Sequence, residues 1–195
     1  MRKLKGMRVA ILVADGFEQV ELVQPRTALE DEGAITEIVS PAQRWVKGWK
    51  FTNWGRKFRV TVPLDEADAD HFDALLLPGG VLNPDKLRLC PKAIEFIKAF
   101  GDAGKPIASI CHGPWTLINA GIARGRTLTS WPSLDVDLRN AGANWVDQEV
   151  VRDGKLVTSR KPDDIPAFDR SMVRLFEEAL APAPQPSAEA QATSP

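Results

Sequence analysis

The chain has 195 residues, 44% of them hydrophobic, and 25 basic against 26 acidic side chains give a net charge of −1. That length and apolar share suit one domain with a sizeable core, expected over residues 1–180. The near balance of charge predicts no specific nucleic-acid footprint, and the apolar run Val9 to Ala14 is too short for a signal-peptide core or a membrane span.

The chain alternates strand and helix patterns. Arg8 to Val13 is a β-branched and aliphatic run, as expected of a strand buried on both faces, and Phe17 to Glu32 carries apolar residues at helical spacing before Gly33. Ile35 to Val39 reads as a second strand. Val46 to Val62, rich in Trp, Phe and Thr with a turn signal at Asn53 to Gly55, predicts a hairpin projecting from the sheet. Tryptophans 45, 49 and 54 there are assigned to hairpin packing or a subunit interface, and the Arg56-Lys57 pair to a solvated face. Ala74 to Leu77 is a short buried strand ending at Pro78-Gly79-Gly80. A helix over Pro91 to Ala103, a strand over Pro106 to Ile110 and a helix over Pro114 to Ala120 follow. Strands near Thr127 to Thr129, Asn144 to Arg152 and Leu156 to Ser159 precede a last helix from about Asp163 to Leu180. Residues 181–195, low in complexity and without large apolar groups, are expected to be a disordered tail. Such alternation implies an open, mostly parallel α/β sheet with helices on both faces, and ligands bind such sheets at the carboxyl ends of the strands.

Three loops meet at that end. The first carries Asp15 to Glu18, the second Gly79 and Gly80, and the third Cys111 and His112. In Ala108-Ser-Ile-Cys-His-Gly-Pro114 the small residues Ser109 and Gly113 flank Cys111 by two positions on each side, the pattern of a tight strand-to-helix elbow that holds up a nucleophile. Pro114 suits the first helical position. A cysteine just before a helix N-terminus is expected to be more acidic than a free thiol, from ~8.5 down to about 3.5 to 7.5. Backbone N–H groups at Gly79, Gly80 and His112 are candidate oxyanion donors. Glu18, in the first helical turn beside the thiolate, is expected to have a raised pKa and to offer its proton to the sulfur.

These residues carry a resemblance. Ala14-Asp-Gly-Phe-Glu18 with Val20-Glu21-Leu22, Leu76-Leu-Pro-Gly-Gly80, the Cys111 elbow, Thr129-Ser-Trp-Pro132, Asn140-Ala-Gly-Ala143 and Thr158-Ser-Arg160 together resemble the DJ-1/PfpI superfamily, and its PfpI branch most. The resemblance implies a flavodoxin-like three-layer sandwich with Cys111 as reactive cysteine, His112 beside it and Glu18 as the carboxyl touching the sulfur. It further implies that Asp85, after Pro84, comes from a neighbouring subunit of a homo-oligomer to orient His112. Trp131 stands near the site where relatives carry tyrosine, so a phenolic hydrogen bond is lost there.

Only His71 and His112 are present. Glutamine amidotransferases, which share the elbow, need a downstream histidine that this chain lacks. His71 is assigned to a surface loop and Cys90, before Pro91, to a structural role. Neither a metal site nor a cofactor is expected, because no clustered Cys or His partners complete a ligand set. The two widely spaced cysteines fit reduced thiols in the cytoplasm. Three functions fit the site. The favoured one is a stress-response enzyme that removes carbonyl adducts, a deglycase of glycated protein or nucleotide or a glutathione-independent glyoxalase acting on small carbonyl compounds. The others are a cysteine peptidase using Cys111, His112 and Asp85, and a non-enzymatic stress protein whose Cys111 is oxidised as a redox sensor.

Overall fold

The computed structural model describes residues 2–180; the tail expected at 181–195 lies outside them. Four strands form the hydrophobic centre: β1 (Arg8–Leu12), β6 (Ala74–Leu77), β7 (Ile107–Ile110) and β11 (Leu156–Ser159), with every residue buried except Arg8. Their side chains alternate between faces, as strands require. Val9, Ile11, Leu76, Ala108 and Val157 pack with Leu22 and Leu29 of α1 (Gln19–Asp31) and Phe168, Met172 and Phe176 of α6 (Ile165–Leu180). Ala10, Leu12, Leu75, Leu77 and Ile107 pack the other way, against α3 (Pro91–Asp102) and Leu117 of α4 (Pro114–Asn119). Burial on both faces explains why these strands read as unbroken apolar runs.

With β2 (Ile35–Ser40), β5 (Val62–Pro63) and β10 (Val150–Asp153), the sheet runs in the order β10-β11-β7-β6-β1-β2-β5. Every pairing in it is parallel except β10 with β11. The expected helix-flanked, mostly parallel sheet is therefore present.

The hairpin forms from β3 (Trp45–Lys50) and β4 (Asn53–Arg59), but its turn is Phe51-Thr52 and not Asn53 to Gly55. Phe51 takes φ 55°, and Lys50 pairs with Asn53 across the ladder. Asn53 and Gly55 belong to β4, where Gly55 lets the strand close over α1: a Cβ there would lie 2.3 Å from Gln19 Oε1. The expected strand over Asn144 to Arg152 is two strands. β9 (Asn144–Trp145) pairs with β8 (Thr127–Leu128), and β10 joins the main sheet. Between them Asp147 turns outward to Arg160, 2.7 Å away. Two short helices, α2 (Leu82–Arg88) and α5 (Asp135–Asn140), carry too few turns for an apolar period to reveal them in the sequence.

Candidate active site

Cys111 sits in the turn between β7 and α4 with φ 63°, a conformation L-residues rarely adopt. Close packing enforces it. The Cys111 N–H donates to Ser159 O (3.0 Å) and its carbonyl accepts from Trp131 N–H (2.8 Å). Gly113 admits no side chain: a Cβ there would lie 2.5 Å from Leu77 O and 2.6 Å from Ser109 Oγ. The elbow read from Ser109 and Gly113 is thus a steric fact of the fold.

The glycine pair closes the opposite wall. A Cβ on Gly79 would meet Cys111 Cβ, Glu21 Oε2 and His112 N, each at 2.7 Å. Gly80, at φ 77°, lies so close to the first loop that a Cβ would be 2.6 Å from Glu18 N. Asn83, fully buried, locks the two loops together. Its Oδ1 accepts from Ala14 N–H (2.7 Å), and its Nδ2 donates to Pro78 O (2.8 Å) and Gly79 O (3.2 Å). The backbone N–H groups of Gly80 and His112 both point at the Cys111 sulfur. Gly79 is not a free oxyanion donor, because its N–H is taken by Glu21 Oε2 at 2.8 Å.

That bond marks the main correction to the sequence reading. The carboxyl against the Cys111 thiol is Glu21, not Glu18. Glu18 is the N-cap of α1; its Oε2 accepts from Phe51 N–H at 3.3 Å, and its side chain lines the wall of the cleft. One helical turn on, Glu21 points into the core with no exposed surface. The pattern Glu21, Pro25, Leu29 marks the buried stripe of α1 at i, i+4, i+8. A charged residue on that stripe was the signal that could have found Glu21.

The electrostatics follow from burial. Removal from water raises the Glu21 carboxyl to about 8, helped by the charge of Glu18 and opposed by the hydrogen bonds with Cys111 and Gly79 N–H. Burial also raises Glu18, against its bonds to the Phe51 and Gln19 N–H groups. The Cys111 thiol goes up rather than down: burial and the Glu21 charge outweigh the N–H groups of Gly80 and His112. The expected lowering relied on a helix dipole, and α4 is only six residues long. Cys111 and Glu21 therefore ionise as a pair.

His112 follows Cys111 and stacks on Trp131, ring centres 5.8 Å apart at 24°, with Trp115 tilted against it at 6.1 Å. Burial lowers its pKa to about 4, so the imidazole is neutral at pH 7. Its Nδ1 is buried without a hydrogen-bond partner. Asp85 lies on the exposed side of α2, outside the cleft of its own chain. His71 is exposed at a short helical turn and Cys90 caps α3 half-buried.

The cleft over the sulfur holds about 730 Å³. Trp49 and Phe51 of the hairpin line it with Glu18, Trp131 and Lys161. Trp49 thus does more than the hairpin packing assigned to it. It packs edge-on against Trp54 at 5.4 Å and also walls the cleft.

Residues 7–175 match the model of the DJ-1/PfpI family. The chain belongs to that family. It is 46% identical over 171 residues to a deglycase of Pyrococcus abyssi (strain GE5 / Orsay), covering 88% of this chain and 100% of the relative. With the protein/nucleic acid deglycase 2 of Escherichia coli (strain K12) it shares 43% identity over 173 residues, 87% of this chain and 97% of the relative. The crystal structure of Drosophila melanogaster DJ-1beta superposes with a TM-score of 0.78 at 25% identity, over 89% of this chain and 95% of that one. In this member of the DJ-1/PfpI family, Glu21, Gly80, Cys111 and His112 form one contiguous cluster, and Asp85 stands apart from it. No helix among the described residues is long and apolar enough to cross a membrane.

Proposed function

We propose that this protein is a cysteine-dependent enzyme that removes reactive carbonyl adducts, as a deglycase or glutathione-independent glyoxalase. The observation that carries this reading is the strained Cys111 at the floor of a small aromatic cleft, with two backbone N–H groups and one buried carboxyl aimed at its sulfur. A cleft of that size suits a small dicarbonyl or a modified side chain.

The chemistry needs no external oxidant. Glu21, protonated at neutral pH, relays the thiol proton: as Sγ bonds to the aldehyde carbon of methylglyoxal, the carboxyl accepts the S–H proton and gives up its own, and the carbonyl oxygen takes up a proton to give a hemithioacetal. The oxygen's developing charge lies within reach of the Gly80 and His112 N–H groups. The hydrogen on the former aldehyde carbon leaves as a proton, and one returns to the neighbouring carbon, so the first carbon is oxidised and the second reduced within one molecule. A lactoyl thioester results. Water hydrolyses it, releasing lactate and the Cys111 thiol. From an aminocarbinol adduct the same attack displaces the amine. Glu18, on the cleft wall with a raised pKa, and neutral His112 are the groups placed to carry those protons.

The peptidase reading requires an acid on His112, and within one chain its Nδ1 has none. The deciding experiment measures methylglyoxal loss and lactate formation by the purified protein, with and without glutathione, beside Cys111→Ser and a casein-cleavage control. Lactate that vanishes in Cys111→Ser supports the enzyme. No turnover of either substrate, with Cys111 readily oxidised by peroxide, replaces it with the redox-sensing stress protein.

A further inference from the structure

The β3–β4 hairpin concentrates positive charge in a molecule that is otherwise net acidic. No Asp or Glu occurs between Glu37 and Asp65, while Arg44, Lys47, Lys50, Arg56, Lys57 and Arg59 all fall in that stretch. Among the described residues none of these six makes a salt bridge. Lys47 and Lys57 stand directly opposite each other across the ladder, an arrangement that destabilises a hairpin unless an anion lies between them.

Aromatic faces are interleaved with those charges. Trp45, 55% exposed, is paired across the ladder with Arg59, and the Lys47 ammonium sits 5.2 Å from the ring of the half-exposed Trp54. Phe51, at the turn, is 65% exposed and also lines the Cys111 cleft. Cations that track phosphates beside rings that stack on bases are what a single strand requires. A membrane-surface element would separate its apolar and charged sides, and an acidic peptide would use the cations and leave the rings unemployed.

We propose that this hairpin is a sequence-independent docking surface for single-stranded nucleic acid, which it leads past the mouth of the Cys111 cleft. Binding itself does not depend on the chemistry at Cys111. The consequence that the enzyme receives adducts carried on exposed bases rests on the function proposed above.

The test uses full-length Cys111→Ser, which binds without turning over, and measures fluorescence anisotropy with a labelled oligo-dT strand and with a duplex of equal length over a salt series. We expect the single strand to bind more tightly than the duplex. Trp45→Ala should weaken it roughly tenfold, and Lys57→Ala should reduce the slope of log affinity against log salt by about one. Methylglyoxal turnover by otherwise wild-type Trp45→Ala and Lys57→Ala should be unchanged, which shows that both fold. Failure to bind the strand at low salt overturns the proposal, as does equal binding of duplex with no effect of Trp45→Ala. Tighter binding to phosphatidylglycerol vesicles assigns the hairpin to a membrane instead. Trp45 and Trp54 shielded from acrylamide quenching in a sedimenting oligomer assign it to a subunit interface. Absence of turnover with strand binding intact overturns only the function proposed for Cys111.

Discussion

Glu21 and Cys111 share one problem: two acidic groups are packed together in the core, and water can stabilise neither anion. A carboxyl whose folded pKa, about 8, exceeds its ordinary value near 4.5 favours the folded state while it is protonated. That contribution is complete below pH 4.5 and is lost as pH rises through 8. His112 has the opposite sign. Its pKa falls from 6.5 to about 4, so its contribution is complete above 6.5 and lost as pH falls through 4. Thermal unfolding of wild type should therefore show an alkaline limb from Glu21, joined by the buried Asp169 carboxyl that is raised to about 7, and an acid limb from His112. Glu21→Gln should flatten the alkaline limb, and by removing the carboxyl that relays the thiol proton it should slow lactate formation by about 10²-fold or more. An alkaline limb unchanged in Glu21→Gln would show that Glu21 is already ionised in the folded protein.

At the scale of elements, the site is a product of loops that approach too closely for side chains. Gly113→Ala would place a methyl group against the Leu77 carbonyl and the Ser109 hydroxyl, which are backbone and buried core and cannot yield. We expect a loss of several kcal/mol, read by urea unfolding, with Cys111 released from its strained φ. Asn83→Ala acts through hydrogen bonds instead: the Ala14 N–H and the Pro78 carbonyl lose their partner while Gly79 O keeps the Glu18 N–H, about 1 to 3 kcal/mol for each orphaned group. With the two loops unlocked the Gly80 N–H loses its aim, so turnover should fall as well as stability.

Much of this was legible in the sequence, because doubly buried strands and elbow glycines leave short, local patterns. The β6 strand Ala74–Leu77 and the β11 strand Leu156–Ser159 have the bounds that the sequence reading placed, and Cys111 stands where the small residues around it put it. Glu21 was misread as Glu18 because the two acids stand three residues apart at the helix start, one as N-cap and one in the first turn, and only packing against the sheet decides which points inward. The hairpin turn was misplaced because Asn53 and Gly55 look like turn formers. In the fold Gly55 serves close approach to Gln19, and Phe51 accepts the positive φ. The role expected of Asp85 would require a contact beyond one chain, which no local pattern contains.

The whole molecule poses that question most sharply. His112 has a buried, unpartnered Nδ1, while Asp85 projects from the exposed side of α2, so within one chain the acid and the imidazole do not meet. If a homo-oligomer supplies Asp85 in trans, the functional unit is a pair of subunits, and the two halves of each site can be separated genetically. Cys111→Ser and Asp85→Ala should each be impaired alone, since one lacks the sulfur and the other the orienting acid. After co-refolding, a mixed two-fold dimer would contain one subunit with Cys111 facing an intact Asp85 from its neighbour. Statistical mixing should then restore about a quarter of wild-type turnover. Asp85→Ala with full activity by itself would mean that stacking between Trp131 and Trp115 suffices to hold His112. Loss without rescue on mixing, with both variants still assembling, would place the role of Asp85 within its own chain.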